Sequence, residues 1–160
     1  MRRRHFLTGA ALIGGAAAIP GSARAEAGSV VERFASALSA HDMKAFGDLF
    51  ADDYVNHQNS AAAPAPSGKS AKQATLDFFQ NRVNAMSDLR VSIETSLASD
   101  DKAAASFLYE GTHDGPYFGF QPTGRALRFT SCDIFRVRDG RIAEHWGMGD
   151  LAGVIAQLKR

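Results

Sequence analysis

One cysteine in 160 residues, Cys132, excludes an internal disulfide and any zinc site built on several cysteines. The five histidines show no HxH, HxxxH or HExxH spacing, so no metal site is expected. There is no GxSxG nucleophile elbow and no phosphate-binding or dinucleotide glycine pattern, and no cofactor is expected. The length falls short of the ~250 residues of an eight-unit β/α barrel and suits one domain of ~100–200 residues. A basic footprint for nucleic acid is missing as well. Four of the 18 basic residues, Arg2, Arg3, Arg4 and Arg24, lie in the first 25 positions, which hold no acid. The remainder sets 14 basic residues against 17 acids, a balance of −3, which does not suit a nucleic-acid surface. What is present is an ordinary globular composition, 45% hydrophobic and 22% charged.

Residues 1–25 read as an export signal. A basic start is followed by an apolar run to Ile19 and the small-x-small closure Ala23-Arg24-Ala25. Arg3-Arg4-His5-Phe6-Leu7 resembles the twin-arginine signal of bacteria. The run is too short to span ~30 Å of hydrocarbon comfortably, so no membrane association is expected after cleavage. The mature chain is expected to begin near Glu26, to form one domain over 26–160, and to work in the periplasm or outside the cell.

The mature part reads helices first and sheet second. Val30, Phe34 and Leu38 form one stripe of a helix over 29–40, which Ser29 and Glu32 are expected to open as a capping box. Asp42 caps a short helix with Met43, Phe46 and Phe50 inward, and 54–57 is a short extended piece. A Pro/Ala-rich loop over 59–69 leads to a helix over about 71–87, capped by Ser70 and Gln73, with Leu76, Phe79, Val83 and Met86 on one side. After Asp88 the period switches to two. Strands are expected from Leu89 to Leu97, from Ala103 to Thr112, from Ala126 to Arg138 and from Arg141 to Gly147. Asp139-Gly140 is a two-residue hairpin turn. Asp150 caps a last helix with Leu151, Val154, Ile155 and Leu158 inward. Helices followed by antiparallel strands give an α+β domain with helices on one face of the sheet.

Three segments carry a resemblance: FADDYVNHQ from Phe50, GTHDGPYFGFQPTGR from Gly111, and DIFRVRDGRIAEHW from Asp133. Together they resemble the SnoaL-like polyketide cyclase, or ester cyclase, family over nearly all of residues 29–159. The resemblance implies a cone-shaped curved antiparallel sheet with helices over its concave face, as in nuclear transport factor two. It also implies cofactor-free ring closure by an intramolecular aldol reaction, in which one carboxylic acid takes and returns a proton. The family places that acid directly after the tryptophan of the EHW-type motif, where this chain has Gly147.

Asp133 is the replacement. It shares the apolar side of its strand with Leu127, Phe129, Phe135 and Val137, and Ser131 is the one other polar residue there. An acid on such a face is desolvated, which disfavours its charged form. A regular hairpin sets Trp146 opposite Asp133 and turns His145 to the other side, unless a bulge reverses it. His113, at the start of the glycine-rich loop, is a further catalytic candidate beside Asp133 and His145. The resemblance implies Tyr54, Asn56 and His57 at the cavity mouth, and Tyr117, Phe118 and Trp146 are expected as further ligand contacts. Tyr117, Phe118 and Phe120 suit either a cavity lid or a dimer patch. Cys132 suits a small buried residue.

The expected function is a cofactor-free acid–base enzyme acting on a small carbonyl-containing or cyclic apolar compound. The alternative is a catalytically silent binding protein on the same fold, which Gly147 favours. A homodimer through the sheet is the expected protein partner.

Overall fold

A computed structural model describes residues 20–58 and 68–160. Most of the expected signal and of the Pro/Ala loop lies outside the described residues. In chain order the elements are α1 (Pro20–Ser39), α2 (Met43–Asp48), β1 (Phe50–Asn56), α3 (Ala71–Ala85), β2 (Arg90–Ser99), β3 (Lys102–Thr112), β4 (Ala126–Arg138), β5 (Arg141–Gly149) and α4 (Leu151–Leu158). The five strands form one sheet in the order β1-β5-β4-β3-β2. Four pair antiparallel as expected. The short extended piece after α2 is the fifth strand, added parallel to β5 at the edge.

The expected caps set the short helices. Asp42 accepts from the Ala45 amide at 2.8 Å and Asp150 from the Gly153 amide at 2.8 Å. Ser70 accepts from the Gln73 amide at 3.1 Å, but Gln73 bonds Asp77 at 2.8 Å, so only half of that box forms. The box expected at Ser29 does not form. The helix starts nine residues earlier, and the Ser29 hydroxyl donates back to the Glu26 carbonyl at 2.9 Å inside it.

The helices cover one face of the sheet, and the aromatic core lies between. The Phe34 ring stands 5.0–5.4 Å from those of Phe46, Phe79, Phe107 and Phe135, joining α1, α2, α3, β3 and β4. On β4 the expected alternation holds throughout, with Leu127, Phe129, Ser131, Asp133, Phe135 and Val137 buried. On β2 it breaks: the register shifts between Ile93 and Thr95, so Leu97 points outward, 68% exposed.

The β4–β5 register decides what faces the core. Asp139 and Gly140 both take positive φ, 52° and 69°, as a tight hairpin turn requires. Val137 pairs with Ile142, and the register then slips by one. Ile142 and Ala143 are consecutive and both buried, and Ala143 is the extra residue of a bulge. Beyond it Asp133 stands opposite Gly147 and Ile134 opposite Trp146. The bulge therefore turns His145 inward and Trp146 outward, the reverse of the regular hairpin.

Candidate active site

The inward turn of His145 sets its ring against Asp133. His145 Nε2 lies 2.7 Å from Asp133 Oδ1, and the two side chains are 4% and 6% exposed. The Ser131 hydroxyl donates to Asp133 Oδ2 at 2.6 Å. On the other side of the imidazole, Tyr54 Oη lies 3.1 Å from Nδ1. The Thr75 hydroxyl donates to Tyr54 Oη at 3.4 Å, and Asn56 Nδ2 donates to Thr75 at 3.4 Å.

This network has a direction. Burial pushes the Tyr54 phenol well above its ordinary pKa, the Thr75 hydrogen bond opposes that, and the nearby Asp133 charge adds to it. Tyr54 is therefore a hydroxyl donor at every physiological pH. It accepts from Thr75 and donates to His145 Nδ1, which assigns the Nε2 proton to the contact with Asp133. A carboxylate so placed can accept a proton with an imidazole beside it, and the phenol, which stays neutral, holds the imidazole by its Nδ1.

Gly147 is part of the same geometry. A Cβ at this position would fall inside van der Waals contact of Asp133 Oδ1 and 2.5 Å from His145 Nε2. The position where the family's acid is expected is the space that this pair needs.

Not every expected residue belongs here. Trp146 and His57 do not line the site. They lie on the outer face of the sheet, stacked at 4.4 Å and 5°. His57 Nε2 is 2.7 Å from Glu144, which also meets Arg136 at 2.5 Å. The hydrogen bond with His57, outweighing desolvation, and the Arg136 charge hold Glu144 below the usual carboxylate range. Cys132, expected to be buried, is exposed on this outer face. His113 is buried but pins its own loop. Its Nδ1 lies 2.9 Å from the Thr123 hydroxyl and accepts from the Thr123 amide at 3.3 Å. Among the described residues no hydrogen bond joins it to Asp133 or His145, and its Nε2 is without a partner. Phe118 sits at the tip of a two-residue turn with φ 47°, 39% exposed, its ring 4.4 Å from that of Tyr117. Tyr117 points back toward the interior, where its Oη accepts from Arg82 Nε at 3.0 Å, and Phe120 packs against the core beside it.

Sequence reasoning missed Thr75 and Arg82. They stand seven residues apart on the buried side of α3, with Phe78 and Phe79 between. A threonine and an arginine at that spacing on an apolar face were the available signal. Arg82 is 3% exposed, and its guanidinium lies over the rings of Tyr109 at 4.4 Å and of Phe78, Phe79 and Phe129 at 5.0 Å each. Burial pushes the Tyr109 phenol up to about 12, against the pull of Arg82, and its Oη lies 3.5 Å from Ser131 Oγ. Asp133 and Arg82 are thus linked through Ser131 and Tyr109.

Two surface clefts stand apart from this cluster. One of about 420 Å³ lies between the start of α1 and Ser96–Ala98 of β2. The other, of about 440 Å³, lies between Ala51–Asp53 and the β4–β5 turn. Among the described residues no group of three or more potential metal ligands comes together.

The family model for the SnoaL-like polyketide cyclases matches residues 28–158. The chain belongs to this family. Among solved structures it is similar to AclR of Streptomyces galilaeus, provisionally assigned as a hydroxylase, at 21% identity and a TM-score of 0.73, covering 85% of this chain and 82% of that one. It is similar to IdmH of Streptomyces antibioticus, provisionally assigned as a polyketide cyclase, at 28% identity and a TM-score of 0.68, covering 83% and 98%. TsrD of Streptomyces laurentii is 24% identical with a TM-score of 0.71, covering 84% and 96%. No curated protein matches the sequence. These likenesses agree with the α+β fold, its curved five-stranded sheet and its helices.

Proposed function

We propose that the protein is a cofactor-free acid–base enzyme acting on a small carbonyl-containing or cyclic apolar compound. The observation that carries this reading is the buried Asp133–His145 pair, closed on one side by Ser131 and on the other by Tyr54. Asp133 takes a proton from the carbon next to a carbonyl, the electron pair of the broken C–H bond passes to the carbonyl oxygen as an enolate, and His145 holds the carboxyl group in place. The same acid then returns the proton to the product. In a dry site one group can serve both steps. Membership of the cyclase family supports this chemistry.

The test is α-proton exchange in D2O on a panel of enolisable ketones. Asp133→Asn should lower exchange about 10²–10⁴-fold, the usual contribution of a positioned base. Exchange unchanged by that substitution would overturn the reading.

One observation favours a silent binding protein instead. Both oxygens of Asp133 and both ring nitrogens of His145 already have partners within the chain. A panel that binds without exchange in the wild type would decide for it.

We also propose that residues 1–25 direct export by the twin-arginine route, supported by the Arg3-Arg4 pair and the apolar run after it. A second copy of the chain is proposed to pack on the outer sheet face. Ile134 and Met148 are 45% and 78% exposed there, and the neighbouring charges of Glu144 and Arg136 are mutually paired. A concentration-dependent dimer in sedimentation that Ile134→Lys abolishes is the expected result.

A further inference from the structure

Arg82 carries a full charge into the interior, where the charge of Asp133 acts on it only from beyond ion-pair distance. Among the described residues no acid lies within ion-pair distance, and its one hydrogen bond is that from Nε to Tyr117. Four ring faces stabilise the cation, but a ring face offers its N–H edge no strong acceptor. Of the five N–H donors of a guanidinium, four on the two terminal nitrogens have no partner among the described residues, and since neither nitrogen is a fully buried unsatisfied atom, the fork keeps an opening to solvent. Buried charges are ordinarily paired, and this fork matches two oxygens of one planar anion.

We propose that Arg82 is an anion-binding group of this interior and that its ligand is a planar organic carboxylate. The proposal rests on the acid–base reading only for what happens to the bound molecule. Charge fixes the orientation. Phe129, whose ring lies under Arg82, and Asp133 are four residues apart on one face of β4, about 13 Å of strand. A carboxylate is attracted to Arg82 and repelled by Asp133, so the neutral, reacting end of the molecule turns toward the Asp133–His145 pair. The aromatic residues around Arg82 favour a flat apolar body behind the anion. A lysine could not replace this residue, because an ammonium has no planar fork and stacks poorly on four rings.

The experiment compares cinnamate with its neutral isostere cinnamamide on the full chain. Affinity is read by titration, and the Arg82 Nε–H resonance by NMR. Cinnamate should bind at least tenfold tighter than the amide and shift that resonance. Arg82→Met should remove the preference, a loss of about 10- to 100-fold for a charge-assisted pair. Arg82→Lys should lose at least tenfold while keeping the charge. Asp133→Asn should keep or tighten cinnamate binding. Equal affinity for acid and amide, no binding of cinnamate, or a preference that survives Arg82→Met would overturn the proposal. Should Arg82→Met fail to fold, an unmoved Arg82 resonance in the wild type at saturating cinnamate overturns it equally. Loss of α-proton exchange with an intact acid preference would sink the acid–base reading alone. The converse result would sink this one alone.

Discussion

Gly147 stands opposite Asp133 in the β4–β5 ladder, and its missing side chain is the space in which Asp133 Oδ1 meets His145 Nε2. Where the resemblance leads to an acid on β5, the carboxylate found at this point of the ladder is that of Asp133. The carboxylate sits on β4, and β5 supplies the imidazole and the room. Gly147→Ala should force the pair apart and destabilise the protein by about 1–3 kcal/mol, as overpacking does. In a background that carries both Asp133→Ala and His145→Ala the same substitution should cost little, because both side chains that a Cβ would strike are gone. Urea denaturation of the two backgrounds, each with and without Gly147→Ala, reads the coupling. A full penalty without Asp133 and His145 would mean that the glycine serves the backbone alone. Gly147→Asp should fare worse than Gly147→Ala, because it adds a second negative charge beside the first.

The pair itself should be strongly coupled. Removing one partner leaves the other buried and unmatched, which costs about 3–5 kcal/mol. Asp133→Leu and His145→Phe should each show that loss. The double variant should be more stable than the two losses combined would make it, because both buried polar groups leave together. Additive losses in a double-mutant cycle would argue that no special interaction joins the two residues.

Much of this was legible in the sequence. The face of β4 that carries Asp133, the Asp139-Gly140 turn and the caps at Asp42, Ser70 and Asp150 follow from spacing and residue chemistry. The inward turn of His145 does not. It depends on one extra residue, Ala143, in a stretch without glycine or proline to mark a bulge, and one residue of slip exchanges every side chain between faces. That slip is why Trp146 was expected beside Asp133 and is found stacked on His57. The start of α1 was misjudged for another reason. Ser29 and Glu32 have the spacing of a cap, but a cap forms only where the helix begins, and the helix runs on through them. Arg82 was hidden by its charge, since arginine on a helix is ordinarily solvated.

The turn between α3 and β2 is clamped to the end of β3 by two acids. Asp88 accepts from the Thr112 amide at 2.6 Å and from its hydroxyl at 2.8 Å. Asp114 accepts from the Ser87 amide at 3.0 Å and from its hydroxyl. These bonds hold both acids below the ordinary aspartate value, for Asp88 through the Thr112 amide first and for Asp114 through the Ser87 hydroxyl first. A carboxyl with a depressed folded pKa stabilises fully above its unfolded value of ~3.9. That stability is lost as pH falls through the lower folded value. The wild type should therefore melt above Asp88→Asn and Asp114→Asn at pH 6, with the gaps closing toward pH 3. Both acids are exposed, so the gaps should be modest. Gaps that do not change with pH would show that the clamp does not depend on charge.

The last prediction concerns the start of the chain. The expected cleavage point, between Ala25 and Glu26, lies inside α1. The helix is unevenly anchored there. From 21 to 26 every residue but Ala23 is exposed, whereas Ala27, Val30 and Val31 are buried to 1% or less. Cutting before Glu26 therefore removes helical turns with little packing and leaves the buried stripe whole. The new amino terminus places a positive charge at the positive end of the helix dipole, which is unfavourable, and Glu26 in the new first turn offsets it. A chain of residues 26–160 should thus fold with a stability within about 1 kcal/mol of the full chain, since each such end effect is worth ~0.3–1 kcal/mol. Thermal melts of the two chains measure this. Folding within that margin is what a removable export signal requires, and a collapse on truncation would make residues 1–25 a structural part of the domain. The export route has its own reading: with Arg3 and Arg4 replaced by lysine, the precursor should stay in the cytoplasm, already folded. Normal export of that variant would remove the twin-arginine assignment while leaving the cleavable signal in place.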